Sequence, residues 1–301
     1  MNVFVCDVGG TSVKYGLYRN DLAAGEAALE KLGEFPTEGE KGAADLYARI
    51  LRTARQAISE KPADEPIAAI GISTTGQVNA DTGQIVYEPP YLIAGYTGFD
   101  VKAALAPLGL PVYVENDVNC MAVGESASLP PDLPGDVVCL TFGTGIGGGI
   151  IRHGRLYRGA NWSAGEAGMM FTAGDYYENT AAVSALVRRI AEDRPDLADG
   201  RQIAAAYTAG DPFVRKAVSD WAGVAAGCLA SIIHLLDPSA LILGGGFLED
   251  PAIFALLNEK TRALLAPGFA TVLKPAAAGN QAGMMGIGMI AARAMVGAAT
   301  D

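Results

Sequence analysis

The chain has 301 residues, which at roughly 150 residues per domain is room for one large or two ordinary domains with real cores. Half of the residues are hydrophobic and 18% are charged, against a usual charged share of about 25%, and this excludes both a small stapled scaffold and wholesale disorder. Lys and Arg total 22 against 33 Asp and Glu, and the formal charge of -11 repels polyanions, so nucleic acid is not an expected partner.

The opening run MNVFVCDVGG lacks the basic and apolar regions of a signal peptide, so a cytoplasmic, reduced protein is expected. Cys6, Cys120, Cys139 and Cys228 lie far apart and only His153 and His234 accompany them, so neither a disulfide framework nor a Cys/His zinc site is readable. The apolar stretches 221–236 and 282–296 contain His234 and Arg293 and fall short of ~20 clean apolar residues. Both are expected as buried helices, with no membrane partner.

In chain order, residues 3–8 and 12–19 alternate around Gly9-Gly10 and predict a hairpin, with a third strand near 27–35. Helical spacing over 43–58 ends at a Pro-rich breaker, and a strand over 67–73 follows. A short strand at 112–115 runs into a helix over 118–127. The proline-rich run 129–135 is the expected domain junction. Strands at 137–142 and 148–153 then repeat the strand-glycine-strand plan, and helices are expected at 181–193, 201–208 and 212–236. A strand at 240–243 and helices at 251–265 and 281–297 finish the chain. The pattern is a loose twofold repetition of a glycine hairpin in two α/β halves.

Three glycine-rich loops stand out: Asp7-Val8-Gly9-Gly10-Thr11, Phe142-Gly143-Thr144-Gly145-Ile146-Gly147, and Leu243-Gly244-Gly245-Gly246. Lacking Cβ, glycines let backbone N–H groups converge on an anion. Any one loop reads equally well as a tight turn, whereas three together suggest phosphate binding. The second loop leads into a β-type run rather than a helix, and no G-x-x-x-x-G-K-[ST] occurs, which disfavours the Rossmann and P-loop readings. What remains is a nucleotide cradle of hairpin turns, with Asp7 placed to hold Mg²⁺ through water and Thr11 or Thr144 offering hydroxyls.

Asn116 and Asp117 end a strand, where a carboxylate can take a proton from a substrate hydroxyl and an amide can bind a polyol. The plain alternative is that Asp117 caps the following helix. Glu166, flanked by Gly165 and Ala167-Gly168, has room to reach a ligand, as do Asn161 and Glu178, although each alone reads as a solvated loop residue. His153 is expected in a hairpin turn and His234 as a satisfied core histidine. Met284, Met285, Met289 and Met295 are expected to pack a helix face.

These motifs, in this order, resemble the ROK family of sugar kinases and related repressors, within the superfamily of sugar kinases, heat-shock ATPases and actin. Residues 7–14 are similar to its first phosphate motif, which includes Gly9, Gly10, Thr11 and Lys14, and residues 141–149 to its second, with Gly143, Thr144 and Gly145. Residues 115–119 resemble the segment whose aspartate is the general base, here Asp117. Gly244, Gly245 and Gly246 stand at the adenosine-site position, and residues 71–78, with Gly76, resemble the segment lining the sugar.

The resemblance implies an α/β fold of two ribonuclease H-like, actin-like ATPase lobes with a cleft between them, residues 1–117 plus 281–301 and residues 118–280. It implies ATP and Mg²⁺ as cofactors, a small-molecule sugar substrate, a homodimer, and phosphoryl transfer to a hexose hydroxyl, O6 being expected. Asn116, Asp117, Asn161, Glu166 and Glu178 carry over to the sugar site.

The chain departs from the family pattern at its zinc site. Met169 stands where the family has a histidine, and residues 172–178 hold none of the cysteines that complete its structural zinc site, so no zinc is expected. This short-loop form is similar to the family's β-glucoside kinases rather than to its zinc-containing glucokinases. Three rival readings remain, of which an ATPase relative whose substrate is not a sugar would have little use for the Asn-Asp and Gly-Glu pairs. A sugar-responsive repressor is disfavoured by the acidic charge and by the six residues ahead of Asp7, which leave no helix-turn-helix there. A sugar-binding protein without chemistry is kept open by the missing His and Cys set.

Overall fold

The computed structural model describes residues 1–21, 26–127, 129–130, 135–172 and 174–297. The first part of the chain forms β1 (Asn2–Val8), β2 (Ser12–Asp21), β3 (Glu26–Pro36), α1 (Ala43–Ser59), β4 (Ile67–Thr74), β5 (Gln77–Asn79), β6 (Gln84–Tyr87), α2 (Val101–Leu105), β7 (Val112–Asn116) and α3 (Asp117–Ser126). Then follow β8 (Val137–Phe142), β9 (Ile146–Arg152), β10 (Arg155–Tyr157), β11 (Phe171–Thr172), β12 (Asp175–Tyr176), α4 (Tyr177–Ala181), α5 (Val183–Ala191), α6 (Gly200–Ala209) and α7 (Pro212–Leu236). The chain ends with β13 (Ala240–Gly244), α8 (Pro251–Leu264), β14 (Val272–Pro275) and α9 (Ala282–Met295).

Two compact units are present: residues 1–128 with 158–163 and 280–301, and residues 129–157 with 164–279. Helix α3 lies in the first unit, whereas the sequence expectation divided the chain just before it. Residues 131–134 of the proline-rich break lie outside the described residues.

The first unit is built on a sheet of order β3-β2-β1-β4-β7, antiparallel across β1, β2 and β3 and parallel across β1, β4 and β7. Period-two alternation sorts its residues to two faces. Phe4, Cys6, Val8, Ile70 and Ile72 pack with Leu46, Tyr47 and Ile50 of α1, while Val3, Val5 and Ala69 pack with Met284, Ile287 and Ala291 of α9. The methionines of α9 thus line a packed face, as the sequence suggested.

The second unit repeats the plan with order β10-β9-β8-β13-β14, again antiparallel in its first three strands and parallel in its last three. Leu140, Phe142, Leu241 and Leu243 share a core with Trp221, Ala225, Leu229 and Ile233 of α7. Helix α7 has 25 residues and is apolar and long enough to cross a membrane by length and composition alone, yet its apolar stripe is buried in this core. His153 sits in the β9–β10 turn with φ 51°. His234 corrects the expectation of a core histidine: it is exposed in the last turn of α7, where its Nε2 accepts the Ala266 N–H at 3.1 Å and its ring meets Phe269 edge-on. The final turn of the helix runs past the packed stripe, so the imidazole finds its partner on the surface.

Helices α3 and α9 meet backbone to backbone. A Cβ at Gly286 would lie 1.7 Å from the Cys120 carbonyl oxygen, and one at Gly124 would lie 2.6 Å from that of Ala282. Gly286→Ala must push the helices apart and should cost about 1–3 kcal/mol, the usual range for overpacking a core. Urea unfolding with an unchanged midpoint in this variant would refute the close-packing account.

Candidate active site

The parallel strands of the first unit end together. Asp7, Ser73 and Glu115 stand in one register row, and Val8, Thr74 and Asn116 in the next. Alternation sends the first row to the α3 and α9 side, where Ser73 Oγ donates to Asp7 Oδ1 at 2.7 Å and a Cβ on Gly283 of α9 would lie 2.8 Å from that same oxygen. Thr74 faces the other way, onto the buried Tyr96 and Tyr47 hydroxyls.

At the corner from β7 to α3, Asn116 is the helix cap. Its extended backbone (φ -60°, ψ 145°) lets Oδ1 accept the N–H groups of Val118 and Asn119 at 2.9 and 3.0 Å. Asp117 is therefore the first helical residue, not the cap that the plain reading made of it. Its Oδ1 accepts from Val118 N and from Asn116 Nδ2, at 2.9 and 3.0 Å, and Asn116 Nδ2 also donates to the Gly76 carbonyl at 3.0 Å. Burial first, then the charges of Asp7 and Glu88, push the Asp117 carboxyl from its ordinary 3.8 up to about 7.

Gly76 has φ 88°, and a Cβ there would lie 2.5 Å from Glu88 Oε2. Glu88, which the sequence reading passed over, is buried and takes a hydrogen bond from Thr75 Oγ1 at 2.7 Å. A glutamate ahead of Pro89-Pro90 reads as surface loop, and nothing local to it signals that the chain folds back onto Gly76. Asn161 belongs to the first unit, and its carbonyl accepts from Gln77 Nε2 at 2.5 Å, while the same nitrogen reaches Ser163 Oγ.

The Gly9-Gly10-Thr11 turn between β1 and β2 is closed by Gly9 N–H to Ser12 O at 3.1 Å, and Thr37 Oγ1 donates to Gly9 O at 2.6 Å. Lys14 faces Asp7 across the strands and lowers its carboxyl, against a larger upward push from burial. Magnesium takes oxygen ligands and keeps most of its waters, so one carboxylate beside a glycine turn is a sufficient protein donor. Asp7 fits that role. Among the described residues no group of three His, Cys, Asp or Glu side chains is placed to hold a metal.

In the second unit, Gly143, Thr144 and Gly145 form the β8–β9 turn, closed by Gly143 N–H to Gly145 O at 3.0 Å and braced by Ser184 Oγ to Thr144 O at 2.6 Å. Glu178 is presented by α4, which is tied to α7 through Tyr177 OH to Ala225 O at 2.9 Å and Trp221 Nε1 to Ala181 O at 2.7 Å. Its carboxylate accepts from Ile146 N at 3.4 Å and fills the space that Cβ atoms on Gly145 and Gly168 would occupy, 2.7 and 3.0 Å away. Desolvation, and then the charge of Glu178, raise the Glu166 carboxyl.

Gly245, between Gly244 and Gly246 at the end of β13, has φ 113°, and its Cβ would lie 2.0 Å from Phe142 O, so close strand packing already requires glycine there. Met169, Phe171 and Tyr176 are exposed, with the two rings edge-on at 5.7 Å. The first unit thus gathers Asp7, Gly9, Gly10, Thr11, Lys14, Gly76, Asn116, Asp117 and Asn161, and the second gathers Gly143, Thr144, Gly145, Glu166, Glu178 and Gly244–Gly246.

The sequence profile of the ROK family matches residues 4–294. The chain belongs to the ROK family. A β-glucoside kinase from Listeria monocytogenes is 34% identical over 300 residues, covering 95% of this chain and 96% of its own. Among solved structures, the ROK hexokinase from Thermus thermophilus matches with a TM-score of 0.81 at 29% identity, over 96% of this chain and 97% of that one. A ROK family glucokinase from Streptomyces griseus, solved in complex with glucose and AMPPNP, matches with a TM-score of 0.79 at 26% identity, over 96% and 99%. The α/β, actin-like ATPase fold expected from the motifs is the fold of these ROK structures.

Because Asp117 holds its proton more tightly in the folded than in the unfolded chain, its contribution to stability is full below its ordinary value of 3.8 and is lost as pH rises through about 7. The difference in urea midpoint between the native protein and Asp117→Asn should therefore change in the variant's favour across that window. Parallel stability curves would contradict the raised value.

Proposed function

We propose that this ATP-dependent carbohydrate kinase transfers the γ-phosphoryl group of ATP to the O6 hydroxyl of a hexopyranose, with Asp117 as general base. The observation that carries the reading is the state of Asp117 at the β7–α3 corner. Oδ1 is held by Val118 N and Asn116 Nδ2, which leaves Oδ2 to accept a hydroxyl proton, and a carboxyl pushed up to about 7 takes that proton readily near neutral pH.

As the hydroxyl attacks the γ-phosphorus, its proton passes to Asp117 Oδ2 and the bond to the β-phosphate oxygen breaks, leaving ADP and the sugar phosphate. Asn116, Asn161, the Gly76 segment, Glu166 and Glu178 are the groups this reading assigns to the sugar hydroxyls. The Gly9-Gly10-Thr11 turn with Lys14, and the Gly143-Thr144-Gly145 turn, offer N–H, hydroxyl and ammonium groups to phosphate oxygens, and Gly244–Gly246 leave space for the adenosine. Asp7 would hold Mg²⁺ through water, and the ion when bound neutralises phosphate charge.

The exposed Met169, Phe171 and Tyr176 beside Glu178 favour a sugar carrying an apolar or ring-shaped β-substituent, in keeping with the similarity to a β-glucoside kinase. A cytoplasmic homodimer goes with this reading, and sedimentation equilibrium tests its stoichiometry.

The test is ADP release with Mg-ATP against glucose, mannose, N-acetylmannosamine, N-acetylglucosamine, fructose, cellobiose and aryl β-glucosides. Turnover is expected on at least one, and Asp117→Asn should lower it by about 10²–10⁴-fold while sugar binding by calorimetry persists. Near-native turnover in that variant would remove Asp117 from the role. Silence of the native protein across the panel would remove the kinase.

A further inference from the structure

The carboxylate of Glu115 lies at the end of β7 with 1% of its side chain exposed, and its two oxygens have different partners. Oε1 accepts from Asn116 N and from Asn119 Nδ2, both at 3.0 Å. Oε2 accepts from Arg158 Nε at 2.6 Å. Arg158 opens the six-residue stretch 158–163 by which the chain joins the first unit before returning to the second at Ala164. The same stretch is tied down at its far end by Gln77, through Asn161 O and Ser163 Oγ.

We propose that Arg158 is a positioning residue for the phosphoryl-transfer base: by holding the Glu115 carboxylate in place beneath the β7–α3 corner, it keeps Asn116 in place and Asp117 Oδ2 presented to the sugar hydroxyl. This inference rests on the kinase reading above. The path is a continuous set of bonds from Arg158 Nε to Glu115, from Glu115 Oε1 to Asn116 N, and from Asn116 Nδ2 to Asp117 Oδ1.

Two features set this apart from an ordinary surface ion pair. An exposed pair contributes little, whereas a buried carboxylate that loses its cation is left uncompensated and swings toward water. That displacement removes the acceptor that Asn116 N and Asn119 Nδ2 share. The unpartnered acceptor of Asn119 points the same way. Among the described residues its buried Oδ1 has no hydrogen-bond partner, because the amide is turned so that Nδ2 meets Glu115. A displaced Glu115 frees that amide to turn and unsettles the first turn of α3, on which Asp117 stands. A displacement of about 1 Å at a reacting group can cost around 10²-fold in rate.

Arg158 is itself partly exposed, so it can be replaced without opening the core. The experiment compares steady-state kinetics of the native protein, Arg158→Met, Arg158→Lys, Asp117→Asn and the Asp117→Asn/Arg158→Met double variant, on the sugar the native protein turns over. Arg158→Met should lower kcat by about ten- to a hundredfold with the KM for ATP within about twofold. Arg158→Lys, which restores a cation within reach, should recover at least about a third of native kcat. On the Asp117→Asn background Arg158→Met should cost nothing further, because its effect passes through Asp117.

Native-like kcat in Arg158→Met overturns the proposal. So does an equal loss on both backgrounds, which marks damage to the fold at large. Should Arg158→Met not fold, Glu115→Gln, which keeps the shape and removes the charge, takes its place with the same outcomes. Absence of turnover in the native protein is a different result and sinks the kinase reading together with this one.

Discussion

A carboxylate cannot be removed from water without a compensating cation and hydrogen-bond donors, and the end of β7 is organised around meeting that demand for Glu115. Arg158 supplies the charge, while the Asn116 backbone and the Asn119 amide supply the donors. In meeting it, the chain also fixes the sharp transition from strand to helix that a single capping asparagine then completes. Asp117 is held through Oδ1 by its neighbours. Burial and the charges of Asp7 and Glu88 push its carboxyl up to about 7, and that setting depends on the three carboxylates being brought together by the fold.

The gathering follows from topology. In an open sheet with parallel strands the carboxyl ends of those strands are where ligands are met. Here β1, β4 and β7 end in register, so Asp7, Ser73 and Glu115 fall in one row although they are scattered over more than a hundred residues of sequence. The second unit uses the same arrangement of strands with different side chains at the ends: β8 opens into the Gly143–Gly145 turn and β13 into Gly244–Gly246. The two units thus share one architecture, and what differs is which residues sit at the strand ends.

Glycine determines how closely these parts approach. Gly145 and Gly168 leave the volume that the Glu178 carboxylate fills, and Gly283 and Gly286 bring α9 against Asp7 and α3. Such positions are visible in the sequence only as glycines in loops or in an apolar helix, where phosphate binding, turn formation and close packing give the same letter. Gly245 illustrates the ambiguity. By resemblance it stands at an adenosine-site position, yet Phe142 O alone is enough to demand the absence of a Cβ there. An aspartate at 117 reads in sequence either as a helix cap or as a base, and the structure gives the cap to Asn116.

The amino-acid sequence by itself determined the two α/β halves, the glycine hairpins and the long helices, because periodicity and short spacings are local properties, while the resemblance to the ROK family drew attention to Asn116-Asp117, Glu166 and Glu178. It also placed His234 on an apolar helix without revealing that this residue faces water. Glu88 and Arg158 reach Asp117 and Glu115 only through tertiary structure, brought there by the returns of the chain after β6 and after β10. Burial and charge proximity, which raise the Asp117 carboxyl, are sums over residues distant in sequence, and only the folded chain assembles them.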